Sequence, residues 1–312
     1  MFYRFTLITA IATVLAGGIL ANRRLDEPFR AEYVPQWACR RIVSMAPSIT
    51  ETLYALDLDD RVVGVSRFCE YPPQVMEITR VGGYFDPNLE AILLLKPDLV
   101  ILLEEQAESV PALMKLDLET LVVNHQSIEG IIDSFRVIGR VCGRGAEGRQ
   151  IARQISERLD WIRNKTKDAP RPNVLLVMDR TYYRGKFKNG RLSDIYVAAA
   201  DKYFDALIEA AGGRNACRIQ SVRNPVVSPE GIIWLDPDVI VELARPDAMQ
   251  RYNRDEIIGD WDELPQVKAV KHGRVLVYDK SFACVPGPRF IHFLQVLARD
   301  LHPELDWYGE DP

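Results

Sequence analysis

The sequence predicts an α/β fold of two lobes with mostly parallel sheets, bridged by one long α-helix. Three features of the 312-residue chain point to it. Short apolar strands alternate with helical stretches, a proline-free helical segment divides this alternation in two, and one helix–turn–strand motif occurs on each side of that segment. Strands separated by helices indicate parallel sheets, because a parallel connection needs a crossover.

The first lobe is predicted over residues 40–127. Arg41–Met45 is a β-rich run, and Ser48 with Glu51 three residues later forms a capping-box pattern for the helix that follows. Leu99–Leu103 is a continuous apolar run, which is typical of a strand covered on both faces. Strand and helix therefore alternate from the start of this lobe.

A helical segment follows over residues 128–168, with apolar residues at helical spacing. The glycine-rich stretch Gly143–Gly148 is where this helix can be interrupted. The breaker cluster Ala169–Pro172 ends the segment, and the alternation resumes in a second lobe predicted over residues 172–312.

An internal repeat is the strongest signal of organisation. Asn88–Ile101 aligns with Ser228–Val241 at a constant offset of 140 positions, with Glu, Ile, Leu, Pro and Asp coinciding. Convergence of two ordinary helix–turn–strand units is the alternative, since Pro-Asp turns are common. Five matches in register favour two homologous, Rossmann-like lobes, and ligands prefer the cleft between such lobes.

The N-terminal residues 1–22 form a separate segment. Arg4 is followed by the uncharged run Phe5–Asn22 and then by Arg23-Arg24. A positive head before an apolar core is typical of a secretory signal, whereas 18 uncharged residues also suffice for an uncleaved anchor. We expect an exported, periplasmic protein, with cleavage and anchoring both open.

Composition and motifs exclude several function classes. A net charge of −5 without a basic run argues against nucleic-acid binding, and a single candidate span excludes a polytopic membrane protein. The sequence has no P-loop, G-x-G-x-x-G, H-E-x-x-H or G-x-S-x-G motif, and its four histidines lack metal-pair spacing. We therefore expect no enzyme activity, no cofactor and no metal.

The five cysteines show no C-x-x-C spacing, which argues against a zinc ribbon or a redox motif. In an exported chain one disulfide can form, and Cys217 with Cys284 is the expected pair because both precede turn segments of the C-terminal region.

Several short motifs follow one another in a recognisable order. They are Arg41–Glu51, Val63–Ser66, Tyr71–Pro73, Asn88–Ile101, Ala210–Asn215, Ser228–Glu230, Leu235–Asp238, Pro286–Arg289 and Leu297–Pro303. In this order the chain resembles the periplasmic solute-binding proteins of ABC importers for vitamin B12, ferric siderophores and haem, over about residues 40–304. The resemblance implies two lobes on a helical backbone, a monomer, and delivery of a solute to an inner-membrane permease.

The resemblance also implies a docking role for two glutamates. In the family one acidic residue on each lobe pairs with arginines of the permease, and Glu90 and Glu230 occupy the matching positions. These positions are equivalent in the repeat, and charge complementarity would orient docking. A first-turn carboxylate also interacts favourably with the helix dipole without any partner.

The family's vitamin B12 branch lines its cleft with aromatic side chains, which suit large flat ligands, and arginines could meet ligand carboxylates or phosphates. The residues expected to contact the ligand here are Phe68, Tyr84, Arg180, Tyr182, Tyr183, Phe282 and Arg289. Core packing or an exposed loop is the alternative for each. The predicted function is capture of a corrinoid or ferric chelate between the lobes. A ligand-sensing receptor without transport is the alternative, and an enzyme acting on a tetrapyrrole or metal chelate is the least favoured.

Overall fold

The computed structural model describes residues 39–181, 192–200, 203–220, 222, 224–244 and 246–307. The predicted signal or anchor segment, residues 1–22, lies outside the described residues, and so do Tyr182 and Tyr183. Within the described ranges, no helix has the length and apolar character needed to cross a membrane.

The first lobe contains strands β1 (Ile42–Ser44), β2 (Val62–Val65), β3 (Thr79–Arg80), β4 (Leu99–Leu103) and β5 (Thr120–Val123), helices α1 (Pro47–Ala55), α2 (Leu89–Leu94) and α3 (Val110–Met114), and 3-10 turns at Asp59–Arg61, Pro73–Glu77 and Glu104–Ser109. The strands form an all-parallel sheet in the order β3-β2-β1-β4-β5. Every residue of β1 and β4 is buried, as the apolar runs predict.

Helix α1 lacks the predicted capping box. It begins at Pro47, whose fixed φ and missing N–H suit the first turn, and Ala46 precedes it without a side-chain cap. Because the helix begins one residue before Ser48, Glu51 does not reach back to cap it. Its carboxylate extends instead to the second lobe.

The bridging segment is two helices, α4 (Ile128–Val141) and α5 (Gly145–Thr166), rather than one. Glu129 near the start of α4 lies 3.8 Å from Arg163 near the end of α5, so the two helices run antiparallel. Helix α4 packs on α1, and α5 packs against helices of the second lobe.

Glycines allow the two helices to approach closely. A Cβ at Gly148 would lie 2.2 Å from the carbonyl oxygen of Phe135, and a Cβ at Gly139 would lie 2.6 Å from that of Arg144. Gly143, with φ +76°, makes the turn between the helices. The glycine-rich stretch therefore marks a helical hairpin instead of a continuous bridge.

The second lobe contains strands β6 (Asn173–Thr181), β7 (Ser193–Val197), β8 (Arg214–Asn215), β9 (Val226–Val227), β10 (Val239–Leu243) and β11 (Val275–Tyr278), helices α6 (Tyr203–Ala210), α7 (Pro229–Leu235), α8 (Pro246–Arg251), α9 (Arg254–Asp260), α10 (Lys268–Lys271), α11 (Ser281–Cys284) and α12 (Phe290–Leu301), and a 3-10 turn at Trp261–Glu263. The main order is β11-β10-β6-β7-β9, and β8 also pairs with β6. Strands β8, β10 and β11 run parallel to β6, whereas β7 is antiparallel to both β6 and β9. Strand β9 therefore runs in the same direction as β6.

The repeat is visible in the structure as a shared hydrogen-bond pattern. The amide of Asp98 donates to the carbonyl of Arg41 at 3.0 Å, and the amide of Asp238 donates to that of Asn173 at 2.9 Å. The two carboxylates accept backbone N–H groups at the same places, from Arg41 at 3.1 Å and from Asn173 at 2.8 Å. Each aspartate thus joins its own strand, β4 or β10, to the chain that begins the neighbouring strand.

The disulfide joins Cys39 to Cys142, so the expected pairing of Cys217 with Cys284 is wrong. Cys217 lies in the apolar core of the second lobe, where it packs among side chains of its sheet. Burial raises the pKa of the Cys284 thiol to about 11, so this thiol stays protonated at neutral pH. The observed bond ties the start of the first lobe to the end of α4.

One ion pair connects the lobes directly. The Arg289 guanidinium donates to both carboxylate oxygens of Glu51, at 2.9 and 2.7 Å. Burial raises the pKa of Glu51, and the hydrogen bond and charge of Arg289 act against that rise. Nearby, a Cβ at Gly287 would lie 3.1 Å from the Cα of Ser48, so the two lobes are in close contact at this point.

Replacing both Cys39 and Cys142 with alanine is expected to lower the free energy of unfolding by about 3–5 kcal/mol, because the disulfide closes a long loop in the unfolded chain. Urea unfolding with and without a reductant measures this change. The reductant should lower the stability of the wild type to that of the double variant and leave the variant unchanged. Equal wild-type stability in both conditions would contradict the assignment.

Arg289→Ala is expected to cost about 3 kcal/mol at neutral pH, since it leaves a buried carboxylate without its partner. The pKa of Glu51 should then rise further above its ordinary value of 4.5. The free energy of unfolding that Arg289→Ala loses relative to the wild type should therefore grow as the pH rises through the raised pKa of Glu51 in the folded variant. The loss should be smallest below the pKa of Glu51 in the unfolded chain, where the carboxyl group is protonated in both states.

Urea unfolding across a pH series measures the effect, and the matched control is Glu51→Gln combined with Arg289→Met. This control removes both charges, so its stability should depend less on pH than that of Arg289→Ala. A deficit of Arg289→Ala that is constant across the series would refute this account of the pair.

Candidate functional site

The two lobes meet through segments that follow the carboxyl ends of their strands. Helix α1 with Glu51 follows β1, and the loop with Tyr71 follows β2. In the second lobe, Phe282 and Arg289 follow β11. Ligands bind at the carboxyl edges of open α/β sheets, so a ligand site is expected where these segments meet.

Phe68 lies on a loop after β2 that is fixed from several sides. The Cys69 thiol lies 3.2 Å from the Thr50 hydroxyl and 3.3 Å from the Ser66 hydroxyl, and burial raises its pKa. The Arg80 guanidinium donates to the carbonyls of Cys69, at 2.7 Å, and Ser66, at 3.3 Å. The loop is held, while the Phe68 ring itself is exposed.

Tyr84 lies beside this loop, on the turn after β3. Its carbonyl accepts a hydrogen bond of 2.7 Å from the Gln106 amide, and its ring meets the exposed ring of Phe85 edge-on at 4.7 Å. The Arg67 guanidinium of the preceding loop pairs with Asp86 of this turn. The structure therefore brings the loops that carry Phe68 and Tyr84 together.

From the second lobe, Arg289 and Phe282 reach the first. The Arg289 guanidinium lies 3.6 Å from the ring centroid of Tyr71 and 5.6 Å from that of Phe282 while it pairs with Glu51. A planar guanidinium stacks well on aromatic faces. Arg289 thus positions two aromatic rings, one from each lobe.

Arg180 does not lie on the cleft wall, which corrects the expectation for this residue. Its side chain is 0% exposed and pairs with Glu242 at 2.8 Å and with Asp260 at 3.0 Å. The second oxygen of Glu242 accepts a hydrogen bond from the Trp261 indole at 2.7 Å. A buried arginine needs such partners, so Arg180 supports the core of the second lobe.

A cavity of about 630 Å³ lies beside the ion pair. Both lobes and the helical hairpin line it, and its walls are largely apolar, with Tyr71 and Phe282 among them. Its volume is in the range of small-molecule pockets. Phe282 and Arg289 line this cavity, whereas Phe68 and Tyr84 do not, so the predicted ligand residues fall into two groups.

Glu90 and Glu230 are both exposed in the first turn of their helices. Asn88 caps α2 and Ser228 caps α7, each by accepting a backbone N–H three residues later, at 3.0 and 3.2 Å. The pKa of Glu230 lies below its ordinary value because its own backbone N–H and the Ser228 hydroxyl donate to it. Its charge is thus stabilised by the helix start.

Two aromatic residues of this region were not predicted to contact the ligand. Tyr71 stacks on Arg289 at the lobe contact, and Phe85 is more exposed than the predicted Tyr84. Each lies within three residues of a predicted aromatic residue. This nearness in the sequence is the one feature from which their place in the region could have been predicted. Among the described residues, no group of three or more His, Cys, Asp or Glu side chains could hold a metal ion.

Comparison with known proteins places this arrangement in a family. The periplasmic binding protein family model matches residues 42–282. YvrC, an uncharacterised ABC transporter substrate-binding lipoprotein of Bacillus subtilis, is 30% identical over 270 residues, which cover 85% of this chain and 81% of YvrC. A cobalamin-binding protein of Halobacterium salinarum is 28% identical over 84% of this chain and 69% of its own.

A solved structure shares the fold. The periplasmic haem-binding protein RhuT of Roseiflexus sp. RS-1 matches with a TM-score of 0.69 and 25% identity, over 85% of this chain and 99% of that protein. The two-lobe architecture, the long family match and these relatives agree with one another. The chain therefore belongs to the periplasmic binding protein family, and it is a substrate-binding protein of the ABC-transporter type, in the group that includes binders of vitamin B12 and haem.

Proposed function

We propose that this protein is exported, captures a corrinoid or a ferric chelate between its lobes, and delivers it to an ABC permease of the inner membrane. Residues 1–22 direct export in this proposal, either as a cleaved signal or as an anchor. The bound solute is the cargo, and no catalytic step is involved.

The observation that carries the proposal is the set of exposed aromatic rings on fixed loops at the carboxyl edge of the first sheet. Phe68 and Phe85 expose large apolar surface, yet their loops are joined by the pair of Arg67 with Asp86. Exposed aromatic rings on a held backbone lose little conformational entropy when a ligand stacks on them. Large flat ligands suit such faces, since stacking requires few matched hydrogen bonds.

In this proposal Phe282 forms the second-lobe side of the site. Phe282 is positioned by Arg289, which is itself fixed to Glu51 of the first lobe. A ligand between Phe282 and the first-lobe rings would contact both lobes at once. The Halobacterium relative supports a corrinoid and the Roseiflexus structure supports haem, an iron chelate, so both ligand classes are kept.

We expect one ligand class to raise the melting temperature of the purified protein at saturating concentration. A thermal-shift panel of cobalamin, cobinamide, haem and several ferric siderophores identifies that class. Absence of a shift with every compound would contradict the proposed solute class.

With the ligand so identified, Phe68→Ala and Phe85→Ala should each weaken binding about tenfold, because each removes a stacking face. Isothermal titration measures the change. Met114→Ala is the matched control, because Met114 is an exposed apolar residue at the end of α3, near the amino edge of the same sheet. Equal loss in the control would argue against a site on the two aromatic loops.

For delivery, Glu90→Ala and Glu230→Ala should each lower the affinity for the permease about tenfold and reduce stimulation of its ATPase, because each removes one of two charge contacts. The ligand-induced thermal shift should stay unchanged. Glu119→Ala is the control, since Glu119 is exposed but lies outside the repeat. Undiminished stimulation by the Glu90 and Glu230 variants would refute docking through these carboxylates.

A further inference from the structure

Two large apolar side chains are fully presented to solvent at equivalent positions of the repeat. Leu94 on α2 is 82% exposed and Trp234 on α7 is 83% exposed. The residues before them match as well, with Leu93 at 39% and Ile233 at 37% exposed. A single exposed leucine needs no explanation, but the same exposure in both copies of a duplicated unit does.

Packing of the helices does not require these side chains. The sheet-facing side of each helix is formed by Ile92 and by Ile232, which are again equivalent and have no exposed surface. Leu94 and Trp234 lie at the far end of their helices, and their exposure means that truncating them is expected to leave the core intact. An indole exposed to this extent is unfavourable in water and gains by burial against a partner.

Each apolar side chain shares a helix face with a predicted docking glutamate. Glu90 precedes Leu94 by four residues, and Glu230 precedes Trp234 by four, which is the spacing of neighbours on a helix surface. We define the first-lobe patch as Glu90, Leu93 and Leu94, and the second-lobe patch as Glu230, Ile233 and Trp234. Each patch combines one carboxylate with an apolar surface.

The two patches have the same orientation on their sheets. Helix α2 runs from the loop after β3 back to the start of β4, and α7 runs from the end of β9 back to the start of β10. Since β9 and β10 run parallel to β6, both helices begin near a carboxyl edge and end near an amino edge. In each patch the glutamate therefore lies towards the carboxyl edge of the sheet, and the apolar residues lie towards the amino edge.

We propose that Leu94 and Trp234 are apolar anchors that seat the protein on its permease, one anchor on each lobe. This rests on the proposed function and adds a second kind of contact to the charge pairs. A duplicated patch fits a partner with two equivalent halves, each offering a basic group beside an apolar pocket. The carboxylates govern the association rate and orientation, and the anchors, as buried aromatic and aliphatic side chains, govern the dissociation rate.

The test measures binding to the permease that the wild-type protein stimulates, held in lipid nanodiscs. Trp234→Ala should raise the dissociation rate about 30-fold and Leu94→Ala about fivefold, with the association rate and its salt dependence unchanged. Glu90→Ala and Glu230→Ala should instead slow association and flatten its salt dependence. Val296→Ala on α12 is the control, because Val296 is 39% exposed, which is close to Ile233.

Each outcome has a defined meaning. If the glutamate variants slow association while Trp234→Ala and Leu94→Ala leave dissociation unchanged, the anchors are refuted and the proposed docking stands. If none of the four variants changes binding, the proposed docking is refuted together with the anchors.

If a lipid surface or a second copy of the chain covers the patches instead of the permease, the experiment gives different results. Binding to permease-free nanodiscs that Trp234→Ala abolishes would assign the surface to lipid and overturn the proposal. Dimers in sedimentation velocity that Trp234→Ala abolishes, with permease binding intact, would assign it to a second copy of the chain and also overturn it.

Discussion

The ion pair between Glu51 and Arg289 holds the two lobes in one arrangement, and most of the site depends on it. Both donors that Arg289 directs at Glu51 are used, and its planar face lies against Tyr71. A carboxylate is stable in a buried position only with such a partner. A shift of the second lobe would therefore leave the Glu51 charge unpaired, which is unfavourable. The pair thereby fixes Phe282 relative to the first lobe and maintains the cavity beside it.

Much of the fold can be predicted from the sequence because the repeated residues are those that fix the backbone geometry of each lobe. Asp98 and Asp238 are more than turn residues, since each accepts hydrogen bonds from the chain that begins a neighbouring strand. Lys96 and Asp236, again at equivalent positions, both adopt positive φ, at 47° and 41°. A motif that satisfies the same backbone groups twice leaves a recognisable pattern, and for this reason two lobes could be predicted without a template.

The remaining features depend on contacts between residues far apart in the chain. Cys39 and Cys142 are separated by 103 residues, and no local pattern relates them. Arg180 lies near the carboxyl end of β6, where a cleft residue is expected, but only the fold reveals that Glu242 and Asp260 surround it. Likewise, the exposure of Phe85 depends on how the turn after β3 is folded, and that of Trp234 on which face of α7 meets the sheet, whereas hydrophobicity alone predicts burial.

The position of the disulfide has a mechanical consequence. Cys39 is the point at which the N-terminal segment joins the first lobe, and its partner Cys142 is at the turn of the helical hairpin. A pulling force on the N-terminus, such as a membrane tether would exert, would pass through the covalent bond into the hairpin as well as into β1. The hairpin packs against both lobes, so the tension would be shared by the whole body, and the first strand would be protected from being peeled out of its sheet.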